Sequence, residues 1–265
     1  MARKGKGKTA LVTGASGGIG LDLARLLAED GFDLVLVARS AQKLRDLCLE
    51  LSQKHDIEAK ALPADLADPK APEAIAAALT KDEIELDILV NNAGYGLFGR
   101  FDSETDTRQE LEMIQVNVTA LTHLTKLMLP GMLKRGRGRI MNVASTAAFL
   151  PGPLMAVYYA TKAYVLSISE ALSNELLGTG VSVTVLCPGP TTTGFQKAAN
   201  LQDSGLMKTP LKMDSMTVAR AGYEGMLNGQ VLVVPGIQNK IMAQFVRVTP
   251  RAVVRKLVRL YQDRR

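Results

Sequence analysis

Residues 156–164 read AVYYATKAY and place two adjacent tyrosines, Tyr158 and Tyr159, one helical turn ahead of Lys162. Positions three and four apart share a helix face, so either phenol can stand beside the ammonium. An unassisted phenol, with a pKa near ~10, is a poor acid–base group at neutral pH, and a neighbouring cation favours its ionised form. Helix geometry alone leaves the choice between the two tyrosines open. Ser145 adds a hydroxyl and Asn117 an amide. Taken singly, each of these reads as well as a strand end, a buried polar residue or a solvated helix face.

The elements that must position them alternate in period. Short β-branched runs lie at 9–13, 33–38, 58–63, 86–91, 138–144, 181–187 and 230–235. Stretches with a 3.6-residue repeat lie between them, including 21–30, 41–53 and 113–133. Continuously apolar strands alternating with helices predict an α/β fold with a parallel sheet covered on both faces. The expectation is a single doubly wound, Rossmann-type domain of about seven strands over 9–236. Before it lies a basic, solvated tail at 1–8, and after it an amphipathic helical extension at 237–265. GKGKT at the front is not a phosphate loop, because Ala2 stands where its first glycine belongs and a strand follows.

Between the first strand and helix, TGASGGIG (13–20) supplies the glycines Gly14, Gly18 and Gly20. Glycine at that turn lets backbone N–H groups approach a pyrophosphate at a helix N-terminus. At the end of the second strand, Ala38 stands where an acid would bind a ribose 2′-hydroxyl, and Arg39 follows. A guanidinium suits a phosphate dianion, so the expected cofactor is NADP(H) rather than NAD(H).

These motifs and their order resemble the short-chain dehydrogenase/reductase superfamily in its common form of about 250 residues. The matching segments are TGASGGIG, ADLAD (64–68), NNAG (91–94), Asn117 in IQVNVTA, Ser145 with Tyr158 and Lys162, and PGPTTTGF (188–195). Ala144 and Thr191 depart from the usual residues, and the last 30 residues lie outside the shared pattern. The style is also similar to bacterial ketoacyl and hydroxysteroid reductases. The resemblance selects Tyr158, thirteen residues after Ser145, over Tyr159, which is expected to pack. It implies a catalytic set of Asn117, Ser145, Tyr158 and Lys162. It further implies that Gly14, Ser16, Gly18, Ile19, Gly20, Arg39, Asp65, Leu66, Asn92, Ala93, Gly94, Tyr158, Lys162, Pro188, Gly189, Thr191 and Thr193 hold the cofactor. In that scheme Tyr158 protonates a carbonyl oxygen as hydride arrives at carbon. Ser145 steadies the alkoxide, Lys162 also bonds the nicotinamide ribose, and Asn117 holds a water that returns the proton.

The composition narrows the surroundings. The net charge of +6 sits at the ends: Arg3, Lys4, Lys6 and Lys8 at the front, and seven basic residues against Asp263 over 247–265. A general nucleic-acid surface is therefore not expected. Cys48 and Cys187 are far apart, and His55 and His123 are solitary, so neither a disulfide framework nor a metal site is expected. No secretory signal or membrane span is legible, and a cytoplasmic setting is the default.

The segment 195–216, with Met207, Met213 and Met216, reads as a substrate lid. Tyr95 to Phe98, Phe149 and Leu150 are expected at the same mouth. Val253, Val254, Leu257, Val258 and Tyr261 form one face of the C-terminal helix. Docking on the domain or a partner subunit is favoured there over contact with a membrane surface. Helices over 105–134 and 157–178 resemble those that pair in family homodimers and homotetramers. The resulting expectation is an NADPH-dependent carbonyl reductase acting on a small-molecule ketone, a lipophilic one such as a 3-oxoacyl compound. Alternatives are an alcohol or hydroxysteroid dehydrogenase and a non-catalytic NADP(H)-binding sensor.

Overall fold

The computed structural model describes residues 4–193 and 212–262. In chain order, β1 (Thr9–Thr13), α1 (Gly18–Glu29), β2 (Asp33–Ala38), α2 (Ala41–His55), β3 (Ala59–Pro63), α3 (Ala71–Lys81) and β4 (Leu86–Asn91) form the first half. There follow α4 (Thr107–Ile114), a π-helical segment (Gln115–Ala120), α5 (Leu121–Arg135), β5 (Gly138–Val143), α6 (Ala156–Glu175) and β6 (Val181–Leu186). A small pair, β7 (Thr191–Thr192) with β8 (Met213–Asp214), precedes α7 (Ser215–Leu227), β9 (Leu232–Val233), α8 (Ile237–Val248) and α9 (Arg251–Gln262).

The main sheet has seven parallel strands in the order β3-β2-β1-β4-β5-β6-β9. Period-2 alternation divides its side chains between two cores. Ala10, Val12, Leu34 and Leu36 pack with Leu23 and Leu27 of α1 and Val218 of α7. Leu11, Val35 and Val37 face the other way, toward Ile75 of α3 and Leu124 and Met128 of α5. Both faces are therefore dry, which is why these strands read as unbroken apolar runs. Strand order reverses between β1 and β4, and the chain leaves a crevice beyond the carboxyl ends of those strands.

Two sequence expectations change. Residues 4–8 are not simply a solvated tail: the Gly5 N–H donates to the Asp30 carbonyl at 2.9 Å, and Gly5 is buried against Phe32 with no room for a side chain. The helix expected over 113–133 runs from 107 to 135 and is interrupted by the π segment that carries Asn117. The wider turn rotates Asn117 out of the α-helical repeat and toward the loop after β4.

Candidate active site

At the end of β5, the Ser145 backbone is extended and its Oγ accepts from the Ala147 N–H at 3.1 Å, capping a short 3₁₀ turn (Thr146–Phe149). The turn leads to α6, which carries Tyr158, Tyr159 and Lys162 on its inner side, all buried. The Tyr158 and Tyr159 rings meet edge-on, 6.0 Å apart. Lys162 Nζ lies 5.9 Å from the Tyr158 ring centroid and donates to the Val143 carbonyl at 2.9 Å.

The electrostatics differ from the simple expectation of an ammonium lowering a phenol. Burial pushes Tyr158 up to about 12, and a hydrogen bond with the Ser145 side chain pulls the other way. Burial likewise lowers Lys162 to about 8. Low-dielectric surroundings disfavour the charged form of both groups. Tyr158 therefore holds its proton at neutral pH and is a donor.

Asn117 stands behind these residues. Its Nδ2 donates to the Tyr95 carbonyl (2.9 Å) and to Thr161 Oγ1 (3.1 Å), while Oδ1 accepts from the Tyr95 N–H (3.1 Å). A side chain on Gly94 would meet Asn117 Oδ1 at 2.9 Å and Lys162 Nζ at 3.4 Å, so that glycine lets amide and ammonium approach. Deeper still, Asn91 Nδ2 donates to Thr125 Oγ1 and Asn142 Oδ1, and Asn142 Nδ2 donates to Ser169 Oγ. This chain of bonds ties β4, α5, β5 and α6 together under Lys162.

One cleft of about 1350 Å³ joins these groups to the glycine loop. Of the sequence-derived site residues, Ser145, Tyr158, Lys162, Gly14, Ser16, Gly18, Ile19, Arg39, Asp65, Leu66, Asn92, Ala93, Gly94, Pro188, Gly189, Thr191 and Thr193 line it. Asn117 and Gly20 do not. Gly20 is buried, and a side chain there would collide with Asn92 and the Gly14 carbonyl; its role is close packing of α1 against the β4 loop. Asn92 Nδ2 in turn donates to the carbonyls of Thr13 (2.9 Å) and Gly14 (3.3 Å), holding the two loops together.

The cleft fits a phosphorylated dinucleotide. Gly14 and Gly18 have φ of 67° and 56°, a left-handed conformation that glycine adopts without strain. A side chain on Gly14 would come within 2.7 Å of Asn92 Nδ2. The loop thus presents bare backbone at the N-terminus of α1, where an anion is favoured. At the adenosine end, Arg39 is joined by Ser40 and Lys43, which the sequence reading missed. Ser40 caps α2 by accepting from the Lys43 N–H. Lys43 is four residues after Arg39, a spacing that was available as a signal.

The substrate mouth differs more. Tyr95, Leu97 and Leu150 line the cleft; Phe98 is buried just behind them with Tyr158 and Tyr159, and Phe149 packs against a separate cluster. Met213 and Met216 pack against the first core rather than the cleft. The rest of the expected lid, residues 195–211 with Met207, lies outside the described residues. Among the described residues, an apolar wall of the cleft comes from Met242, Phe245 and Val246 of α8 and Val254, Leu257 and Val258 of α9. The C-terminal helix docks on its own domain: Val254 and Val258 join Tyr158 and Tyr159 in one buried cluster.

Residues 8–204 match the family model described as short chain dehydrogenase. The chain belongs to the short-chain dehydrogenase family. It is 34% identical over 224 residues to a very-long-chain 3-oxoacyl-CoA reductase of Phaeosphaeria nodorum, covering 83% of this chain and 65% of that protein's length. It is 31% identical to a human very-long-chain 3-oxoacyl-CoA reductase over 96% of this chain and 79% of the relative. Among solved structures, a short-chain dehydrogenase from Sphingobium yanoikuyae in complex with NADPH has a TM-score of 0.80 at 31% identity. That match covers 92% of this chain and 97% of the other. Among the described residues, no helix is long and apolar enough to cross a membrane.

Proposed function

We propose that this short-chain dehydrogenase is an NADPH-dependent carbonyl reductase acting on a lipophilic ketone of the 3-oxoacyl class. One observation carries the reading. A protonated Tyr158 with Ser145 and Lys162 shares a cleft with the cationic Arg39–Lys43 end and with the apolar wall of α8 and α9. Bound NADPH would supply the hydride, held by the glycine loop, by Arg39, Ser40 and Lys43, and by Asn92 and Thr191. Tyr158 donates its proton to the carbonyl oxygen. The Ser145 hydroxyl bonds that same oxygen as negative charge grows on it. Lys162 then steadies the phenolate. Asn117 fixes the Tyr95 backbone and α6, and so acts by position. The named substrates of the two reductase relatives support the 3-oxoacyl class.

The test is NADPH oxidation against a panel of 3-oxoacyl thioesters, steroids and small ketones, with wild type beside Tyr158→Phe and Tyr159→Phe. Loss of turnover by about 10²–10⁴-fold is expected for Tyr158→Phe alone. Tight NADPH binding without turnover on any ketone would point to a sensor instead.

A homo-oligomer is part of the same proposal. Ile114, Val118, Ala156, Val157 and Ala160 form an apolar depression across α4, the π segment and α6, on the helices expected to pair.

A further inference from the structure

The helices that wall the cleft carry a second apolar face that stands exposed among the described residues. On α8, Ile237, Ile241, Phe245 and Val248 recur at spacings of four, four and three residues; Ile237 is 69% exposed, Ile241 63% and Val248 81%. On α9, Val253, Leu257 and Leu260 repeat the pattern, with Leu260 61% exposed. At 100° per residue, each set is one ridge along its helix. The adjoining side of α9, with Val254, Val258 and Gln262, is the side buried on the domain.

Around α8 the faces follow a fixed order. Lys240 and Arg247 flank the apolar ridge on one side, and Gln238, Met242 and Val246, which line the cleft, flank it on the other. Phe245 and Leu257 belong to both surfaces: they are half-exposed and also line the cleft. The apolar ridge is thus continuous with the mouth.

The charge that these two helices carry has one sign. Residues 237–262 hold Lys240, Arg247, Arg251, Arg255, Lys256 and Arg259, and no acid. Exposed apolar ridges of this length, on helices whose only charged side chains are cations, match a bilayer interface with anionic headgroups. A second copy set face to face would bring six cations against six.

We infer that the outer face of α8 and α9 docks on an anionic phospholipid surface, with the apolar ridge in the headgroup boundary and the cleft mouth opening beside it. A lipophilic substrate then reaches the cleft along Phe245 and Leu257 without crossing water. Docking of this face is independent of the reaction proposed above, and a vesicle assay reads it without turnover.

The experiment is flotation of the full chain with vesicles of phosphatidylcholine alone or mixed with phosphatidylglycerol, at low and high salt. Two triple variants are compared with wild type, Ile241→Gln/Val248→Gln/Leu260→Gln and Arg247→Gln/Arg251→Gln/Arg255→Gln. None of these six side chains lines the cleft, so NADPH binding followed by fluorescence serves as the check of folding. Wild type is expected to float with the anionic vesicles and to be released by salt, with partition falling roughly tenfold or more in each variant. Equal behaviour on both vesicle types, or flotation unchanged in both variants, overturns the inference. So does light scattering that shows a larger wild-type particle reduced in mass by the apolar triple variant, because a second copy would then cover the face.

Discussion

Gln262 Nε2 donates a hydrogen bond to the Tyr159 hydroxyl at 2.6 Å, across 103 positions of the chain. The residue beside the proposed acid thereby anchors the last turn of α9, and α9 walls the substrate mouth. Tyr159 is more than packing: its ring also covers Gly152, where no side chain would fit.

Gln262→Ala and Tyr159→Phe should each destabilise the protein by about 0.5–1.5 kcal/mol, since each removes one end of a buried hydrogen bond. The double variant should cost less than the sum, the mark of two groups in one bond. Denaturant melts of the four proteins check this. Kinetically, the KM for a long-chain ketone should rise while the KM for NADPH stays put.

The pH dependence follows from Lys162. Its folded-state pKa is lowered to about 8, so it is an ammonium below that pH and neutral above it. Tyr158, at about 12, keeps its proton throughout the neutral range. The kcat/KM for reduction should therefore be level below pH 8 and decline above it as the ammonium is lost. A profile that stays level to pH ~10, near the ordinary lysine value, would show that Lys162 keeps its charge.

Cofactor choice rests on Arg39 and Lys43. Removing either cation should weaken NADPH while sparing NADH, by about 1.5–3 kcal/mol for a charge-assisted bond. Titration of Arg39→Ala and Lys43→Ala with both nucleotides reads the effect. Equal weakening of NADPH and NADH would place these side chains away from the 2′-phosphate.

Gly20→Ala tests a packing role in a residue that the glycine motif assigns to the cofactor. The added methyl meets Asn92 and the Gly14 carbonyl, one of them backbone, so something must move. A loss of about 1–3 kcal/mol is expected in the apo-protein. Unchanged stability with weakened NADPH would return Gly20 to the cofactor.

The proposed oligomer has its own measure. Ala160→Arg puts a charge into the apolar depression on α4 and α6 and should lower the mass seen by light scattering. An unchanged mass would move the interface elsewhere.

Much of the fold was legible because its signals are local. Continuous apolar runs gave the strands, a 3.6-residue repeat gave α1, α2 and α5, and TGASGGIG marked the turn between β1 and α1. The tyrosine–lysine spacing put Tyr158 and Lys162 on one helix, and Ser145 at the end of β5 fell into line. Ser40 and Lys43 were within reach of the same reasoning, since they follow Arg39 into the first turn of α2.

Other features depend on partners distant in sequence. Of the methionines expected at the mouth, Met213 and Met216 pack against the core, and α8 and α9 supply an apolar wall that local pattern did not announce. The amphipathic pattern of α9 showed that it has an apolar side. It did not show that two adjoining apolar ridges would separate, one onto Tyr158 and Tyr159 and the other toward solvent. The charge states were also decided late: spacing brings Lys162 beside Tyr158, yet burial raises the phenol and lowers the amine. Periodicity and motif spacing are properties of neighbouring residues, and they were enough to set the doubly wound sheet and the side chains available for acid–base work. The apolar wall, the Tyr159–Gln262 tie and the protonation of the site came from the folded chain, because desolvation and packing depend on what distant residues bring alongside.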